Sequence, residues 1–292
     1  MRVLVTGGSG RLGQWTIRDL LAHGHEVTNA DRRRAADGDA TAARFIETDL
    51  GDVGQVAGAM QGHDAVVHLG AIPSPYGHAD EVVFANNTQA TFAVLQAASL
   101  LGLRRAAIAS SVSAYGMAWT PKPFGARYAP LDEAHPLLIH DPYGLTKEVD
   151  ERTAEMVHRR TGIQIAALRF HWVALPEELA GAAAGARKHP AGVADNLWGY
   201  VDVRDAATAC RLAIEADGFG YAAFNIVAAD SLGADPTEDL IRRHLPETEI
   251  RAPIPGTASA FAIERAARLL GWRPRHSWRD TVDAAPEDGE RS

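Results

Sequence analysis

The chain of 292 residues contains a single cysteine, Cys210, so it can form neither an intrachain disulfide nor a cysteine-based metal site, and a reducing compartment suits it. No run of 18 apolar residues occurs, and the apolar part of the opening MRVLVTGGSG is too short for a secretory signal; a soluble protein of the cytoplasm is expected. Positive charge is in deficit, with 29 Lys and Arg against 37 Asp and Glu for a formal charge of −8, and the only basic run is Arg32, Arg33 and Arg34. That balance argues against nucleic-acid and anionic-membrane partners and points to a small-molecule ligand. The 12 histidines lack paired ligand spacing and acidic neighbours, so no metal is expected. There is no Gly-x-Ser-x-Gly elbow of a hydrolase, no internal repeat and no linker separating two independent domains.

What is present is an ordinary soluble composition, 46% hydrophobic and 23% charged, long enough to bury a large core. Short β-branched runs alternate with longer amphipathic stretches: RVLVTG, HEVTNAD, RFIETDL, AVVHLGA, RRAAIASS and IQIAALRF as strands, with LGQWTIRDLLAHG, DVGQVAGAMQG and a long helix over 80–102 between them. Strands joined by helices of this length make right-handed βαβ units, hence an α/β fold with a Rossmann-type doubly wound parallel sheet. We expect this core over 1–170, a small C-terminal substrate-binding lobe over 171–283 with core elements returning at 200–227, and a disordered tail over 284–292. The small-residue-rich stretch 175–192 reads as a helix or lid with loops.

TGGSGRLG, residues 6–13, follows the first strand and opens the first helix. Gly8, Gly10 and Gly13 satisfy G-x-G-x-x-G, and Gly7, Gly10 and Gly13 satisfy the related G-x-x-G-x-x-G; both let backbone approach a pyrophosphate and aim helix N–H groups at it. Arg11 and Leu12 complete this loop. At the end of the second strand, Asp31 is placed to accept from the adenosine ribose, which favours NAD, while Arg32 and Arg33 leave NADP open. Asp49 and Leu50, in TDL at the end of the third strand, are candidates for the adenine end, with helix capping as the other role for Asp49.

DPYGLTK, residues 141–147, opens like a helix, with Asp141 as cap and Pro142 in the first turn, and puts Tyr143 and Lys147 on one face. A free phenol ionises near pH 10. An ammonium about 4 Å away favours the phenolate by about 4 kcal/mol at an effective dielectric near 20, enough for acid/base work near neutrality.

With TGGSGRLG, ASSVSAYG and YGLTK in this order and LLGWRP near the end, the chain resembles the extended short-chain dehydrogenase/reductase family, the NAD-dependent epimerase/dehydratases. The resemblance implies a catalytic set of Ser111, Tyr143, Lys147 and Asn87. It implies that Leu69, Gly70 and Ala71 run beneath the cofactor, that Phe170 lies beside the nicotinamide, and that Tyr143 and Lys147 also touch the cofactor. It implies hydride transfer between NAD(P) and a secondary alcohol or ketone of a sugar or sugar-like substrate. It further implies a homodimer through the helices at 80–102 and 142–161.

The pattern also departs from the family. No carboxylate follows Ser111 in VSAYG, against dehydration, and LRFHWV puts Trp172 where nucleotide-sugar epimerases carry a diphosphate-contacting asparagine. Ser74, in HLGAIPSP, which resembles a loop of sugar-acid dehydrogenases, joins Ser111 as a substrate candidate, with Ser113 as a second donor and His171 and Trp172 from LRFHWV. Sugar epimerase and sugar or sugar-acid dehydrogenase both remain open, as does a non-catalytic dinucleotide sensor.

Overall fold

The computed structural model describes residues 1–35 and 43–283; the tail expected at 284–292 lies outside the described residues. Strand and helix alternate as β1 (Arg2–Thr6), α1 (Arg11–Ala22), β2 (Glu26–Asp31), β3 (Arg44–Glu47), α2 (Val53–Met60), β4 (Ala65–His68), α3 (Asp80–Leu100) and β5 (Arg105–Ser111). A 3-10 turn at Val112–Tyr115 leads through β6 (Tyr128–Ala129) to α4 (Pro142–Thr161) and β7 (Gln164–Phe170). Next come β8 (Val173–Ala174), α5 (Pro176–Lys188), β9 (Val201–Asp202), α6 (Val203–Glu215) and β10 (Tyr221–Ile226). The chain continues through α7 (Thr237–His244), β11 (Glu249–Ile250), α8 (Glu264–Leu269) and α9 (Trp278–Asp283).

Seven strands form one parallel sheet in the order β10-β7-β5-β4-β1-β2-β3. The central β4 is buried at every position, which is why AVVH carries no polar alternation. Ile17 and Leu20 of α1 pack against Val3 and Val5 on one face, and Val94 and Leu95 of α3 cover Leu4 and Val66 on the other. Removing one such side chain, as in Ile17→Ala, costs about 2–5 kcal/mol. Strand order reverses between β1 and β4, and a crevice opens there at the carboxyl ends of the strands.

The structure refines several sequence expectations. β3 stops at Glu47, so Asp49 lies beyond the strand and not at its end. Residues 175–192 form α5 followed by a 3-10 turn at Pro190–Asn196. Val201–Asp202 pairs with β8 in a separate two-stranded sheet, while α6 and β10 return to the main layers. None of the described helices is long and apolar enough to cross a membrane.

A buried ion pair holds α4 to the sheet. Arg169 of β7 donates from Nε and Nη2 to the two carboxylate oxygens of Glu151 at 2.8 and 2.7 Å, and Ser110 Oγ donates to the same carboxylate at 2.6 Å. Arg169 also donates to the Tyr115 hydroxyl, which donates to Asn225 of β10 at 2.7 Å. Five elements, α4, β5, β7, β10 and the 3-10 turn, are thus fixed by hydrogen-bonded polar groups, the condition under which a buried network specifies one packing.

Candidate active site

The glycine loop is closed by sterics. Gly7 has φ of +69°, and a Cβ there would lie 2.5 Å from the Gly70 backbone nitrogen; a Cβ on Gly13 would lie 2.3 Å from the Gly7 carbonyl oxygen. Gly8 is excluded from carrying a side chain by Asn29 of β2. Gly10 caps α1, and no side chain claims the first N–H groups of that helix. Beside the loop lies a cleft of about 420 Å³ lined by Gly7, Gly10, Asp31, Arg32, Asp49, Leu50, Leu69, Gly70 and Ala71. A cradle of backbone with room for no Cβ, an open helix N-terminus and an acidic strand end fit a dinucleotide. Leu12 instead packs against the core under α1.

Asp31 accepts from Ser9 N at 3.1 Å and from Arg32 N at 2.7 Å, which fixes its carboxylate at the rim of the cleft. Asp49 accepts from Gly51 N at 3.0 Å, whereas the cap of α2 is Asp52, which accepts from Gly54 N and Gln55 N. The Arg11 side chain leaves the phosphate loop: it donates to Glu178 Oε2 of α5 at 2.7 Å and to the Val173 carbonyl. Glu178 Oε2 also accepts from Leu175 N at 2.8 Å, so one carboxylate closes the first turn of α5 and pairs with α1.

The expected catalytic residues meet at the carboxyl end of β5. Parallel pairing sets Ser111 opposite Phe170. Ser111 Oγ accepts from Ser113 N at 3.0 Å and donates to Ser113 Oγ at 3.1 Å. Asp141 caps α4 by accepting from Gly144 N at 2.8 Å, and Pro142 occupies the first turn. That turn packs on the serine turn so closely that a Cβ on Gly144 would lie 2.9 Å from the Ser113 carbonyl oxygen. Tyr143 is buried, and Lys147 Nζ sits 5.6 Å from its ring centroid.

Lys147 Nζ donates to the Ala109 carbonyl at 2.9 Å and to Asp150 Oδ2 at 3.2 Å, with both side chains of the pair buried. Burial opposes the ammonium, but Asp150, Tyr143 and Glu151 together outweigh it and hold Lys147 above its ordinary value. Burial likewise pushes the Asp150 carboxyl up, against the pull of Lys147. Behind this pair His68 bridges Thr6 Oγ1 at 2.7 Å and Thr91 Oγ1 at 3.1 Å; burial and the Lys147 charge push it down to about 3, so the ring is neutral. Asn87 accepts from Ile72 N at 2.8 Å and donates to Ile72 O at 3.0 Å and to Thr146 Oγ1 at 3.3 Å. One amide thereby ties the loop after β4 to α3 and α4.

The remaining candidates divide. Trp172 is 41% exposed, between β7 and β8. Ser74 folds into its own turn, bonded to Tyr76 N and O at 3.3 Å. His171, expected to contact substrate, is buried with both nitrogens taken: Nδ1 accepts from Trp172 N at 2.7 Å, so Nε2 must donate to Asn196 O at 2.9 Å. Burial pushes it down to about 4, and the neutral ring orients backbone.

Sequence reasoning missed Asn86, Gln89 and Ala90 of α3, which line the cleft; their spacing of one turn on the helix that carries Asn87 was the available signal. It also missed Asp150 and the loop residue Trp119, whose Nε1 donates to Ser113 Oγ at 3.2 Å. Among the described residues no group of His, Cys, Asp or Glu could hold a metal.

The family model described as NAD dependent epimerase/dehydratase family matches residues 3–226. A UDP-glucose 4-epimerase of Lacticaseibacillus casei is 28% identical over 97% of this chain and 94% of its own. An L-arabinose 1-dehydrogenase (NAD(P)(+)) of Haloferax volcanii is 28% identical over 61% of this chain and 69% of its own. A solved UDP-glucose-4-epimerase from Stenotrophomonas maltophila, with bound NAD and formylated UDP-arabinopyranose, superposes with a TM-score of 0.71 at 27% identity, covering 97% of each chain. With its glycine cradle and its serine, tyrosine and lysine on adjoining strand and helix ends, the chain belongs to the NAD-dependent epimerase/dehydratase family of enzymes.

Proposed function

We propose that this chain oxidises a secondary alcohol of a sugar to the ketone, and reduces the ketone in reverse, with Tyr143 as acid/base and NAD as the hydride partner. The observation that carries this reading is the packing of the Tyr143 turn of α4 onto the Ser111 turn, beside the dinucleotide cleft. Gly7, Gly10, Asp31 and Leu69 to Ala71 would hold the dinucleotide, with Phe170 at its nicotinamide end. When bound, NAD supplies an acceptor for the hydride leaving the substrate carbon. Ser111 Oγ holds the substrate oxygen by a hydrogen bond. The Tyr143 phenolate takes the O–H proton as the carbonyl forms, and its phenol returns that proton in the reverse direction. Lys147, kept charged by Asp150, faces the phenol ring and stabilises negative charge there. Asn87 keeps the loop after β4 in register with α4.

The likeness to UDP-glucose 4-epimerases over almost the full chain favours a second reading, in which the hydride returns to the opposite face of a UDP-linked sugar. Absorbance near 340 nm separates the two: net NADH growth with sugar establishes the dehydrogenase, and an epimer without net reduction establishes the epimerase. Tyr143→Phe should abolish either activity while NAD still binds. Turnover unchanged in that variant would sink the mechanism, and NAD binding with no turnover in the wild type would return the chain to a sensor.

We place the protein in the cytoplasm and infer a homodimer through α3 and α4. Phe92, Leu145 and Met156 leave an apolar strip along the two helices, 46%, 41% and 38% exposed. Sedimentation should show a dimer that Leu145→Glu dissociates.

A further inference from the structure

Trp119 lies on the loop after the 3-10 turn, and Tyr76 on the loop after β4 that Asn87 fixes at Ile72. Their rings meet edge to face at 5.3 Å and 88°, which joins the two loops. Neither side chain joins a core cluster among the described residues; Trp119 is half-buried and Tyr76 is 68% exposed. The indole N–H is spent on Ser113 Oγ, the atom that also receives the Ser111 hydroxyl at 3.1 Å. An aromatic ring is therefore held at the Ser111–Ser113 turn by its N–H edge, with its donor on an oxygen that a substrate hydroxyl could replace.

The side chains that meet this ring are neutral: Ser113 on its N–H, the Tyr76 ring against it, and Ser111 one hydrogen bond beyond Ser113. Lys147 is paired with buried Asp150 and Arg11 with Glu178, which leaves Lys122, exposed on the Trp119 loop, as the cation nearest the ring in sequence. A diphosphate or carboxylate calls for charged donors, usually arginine forks, whereas a neutral sugar offers a C–H face for an indole and hydroxyls for serines.

We propose that Trp119 is the sugar platform of this enzyme and that its substrate is an uncharged, nucleotide-free monosaccharide. This rests on the hydride-transfer reading above and deepens it. The C–H face of the sugar stacks on the indole, Tyr76 braces the ring from outside, and the indole N–H passes from Ser113 to a substrate hydroxyl. Ser113 is then free to help Ser111 hold the reacting oxygen.

The test compares initial rates of NADH formation, and epimer formation by product analysis, with neutral aldoses (L-arabinose, D-galactose, D-xylose), D-galacturonate and UDP-galactose. Wild type, Trp119→Phe and Trp119→Ala are used, with NAD affinity and melting temperature as folding controls. The expected result is turnover of an aldose, with kcat/KM lowered about tenfold or more in Trp119→Ala, chiefly through KM, and less in Trp119→Phe, while NAD affinity is unchanged. An aldose kcat/KM within threefold of wild type in Trp119→Ala would overturn the platform. Turnover of UDP-galactose or galacturonate far above every aldose would overturn the substrate class and leave the hydride-transfer reading standing. Binding of NAD with turnover of no sugar would overturn both.

Discussion

Lys147 Nζ lies 3.2 Å from Asp150 Oδ2, one turn along the same helix, and the two side chains are 3% and 1% exposed. The helix that presents Tyr143, the proposed acid/base, thus also carries the counter-charge of its lysine. Burial alone would drive Lys147 down, and Asp150 is the foremost group holding it up. Asp150→Asn should therefore move the alkaline limb of the kcat profile to lower pH, because the lysine then loses its proton sooner. It should also lower stability by about 3 kcal/mol, the usual cost of leaving one buried charge without its partner. Rate profiles between pH 6 and 10 and urea unfolding measure both effects, and superimposable curves would remove Asp150 from the site.

Acid should destabilise the fold through two neutral histidines. His68 and His171 are buried with their pKa values pushed down to about 3 and about 4, whereas the unfolded chain binds these protons near pH 6.5. Their contribution is complete above pH 6.5 and is lost as pH falls toward the folded values. At pH 5 each has given up about 2 kcal/mol. Unfolding free energies at pH 7.5 and 5 should differ less for His171→Gln than for wild type; an equal loss would show that the ring is already charged in the native protein.

Cofactor choice should respond to Asp31. Its carboxylate is held by Ser9 N and Arg32 N at the cleft rim, where a 2′-phosphate would meet it as a like charge. Asp31→Ser is expected to lower kcat/KM with NAD about tenfold and to narrow the gap to NADP, with Arg32 next to it as the new phosphate partner. Parallel assays with both dinucleotides decide this, and a variant that lost both equally would place the carboxylate in folding alone.

Gly7→Ala should abolish NAD binding before it unfolds the protein. The added methyl meets the Gly70 nitrogen at 2.5 Å, and the backbone sits at φ of +69°, so the two loops of the cradle must separate. The backbone strain alone is on the order of 1–3 kcal/mol. Calorimetric titration with NAD, alongside circular dichroism, distinguishes a lost site from a lost fold.

The parts of this site that a reader of the sequence can find are those built by local rules. The glycine loop, the Asp141 cap and the pairing of Tyr143 with Lys147 are encoded within a few residues each, and the strands betray themselves by buried apolar runs. What escaped depends on partners far along the chain. Arg11 looked like a cofactor residue until Glu178, 167 positions away, claimed it. His171 looked like a substrate ligand, but Asn196 and its own neighbour's N–H use both its nitrogens. Trp119 carries no motif at all; its meaning comes from Ser113 below it and Tyr76 beside it, on a loop that reaches the site from another strand.

The bond between Arg11 and Glu178 joins α1, whose N-terminus opens beside the dinucleotide cleft, to α5. A ligand that gripped α5 would be bound by reciprocity to the dinucleotide across this bridge: whatever factor one adds to the hold on the other is returned in full. A half-exposed pair of this kind has about 1 kcal/mol to give, which caps that mutual factor at about five.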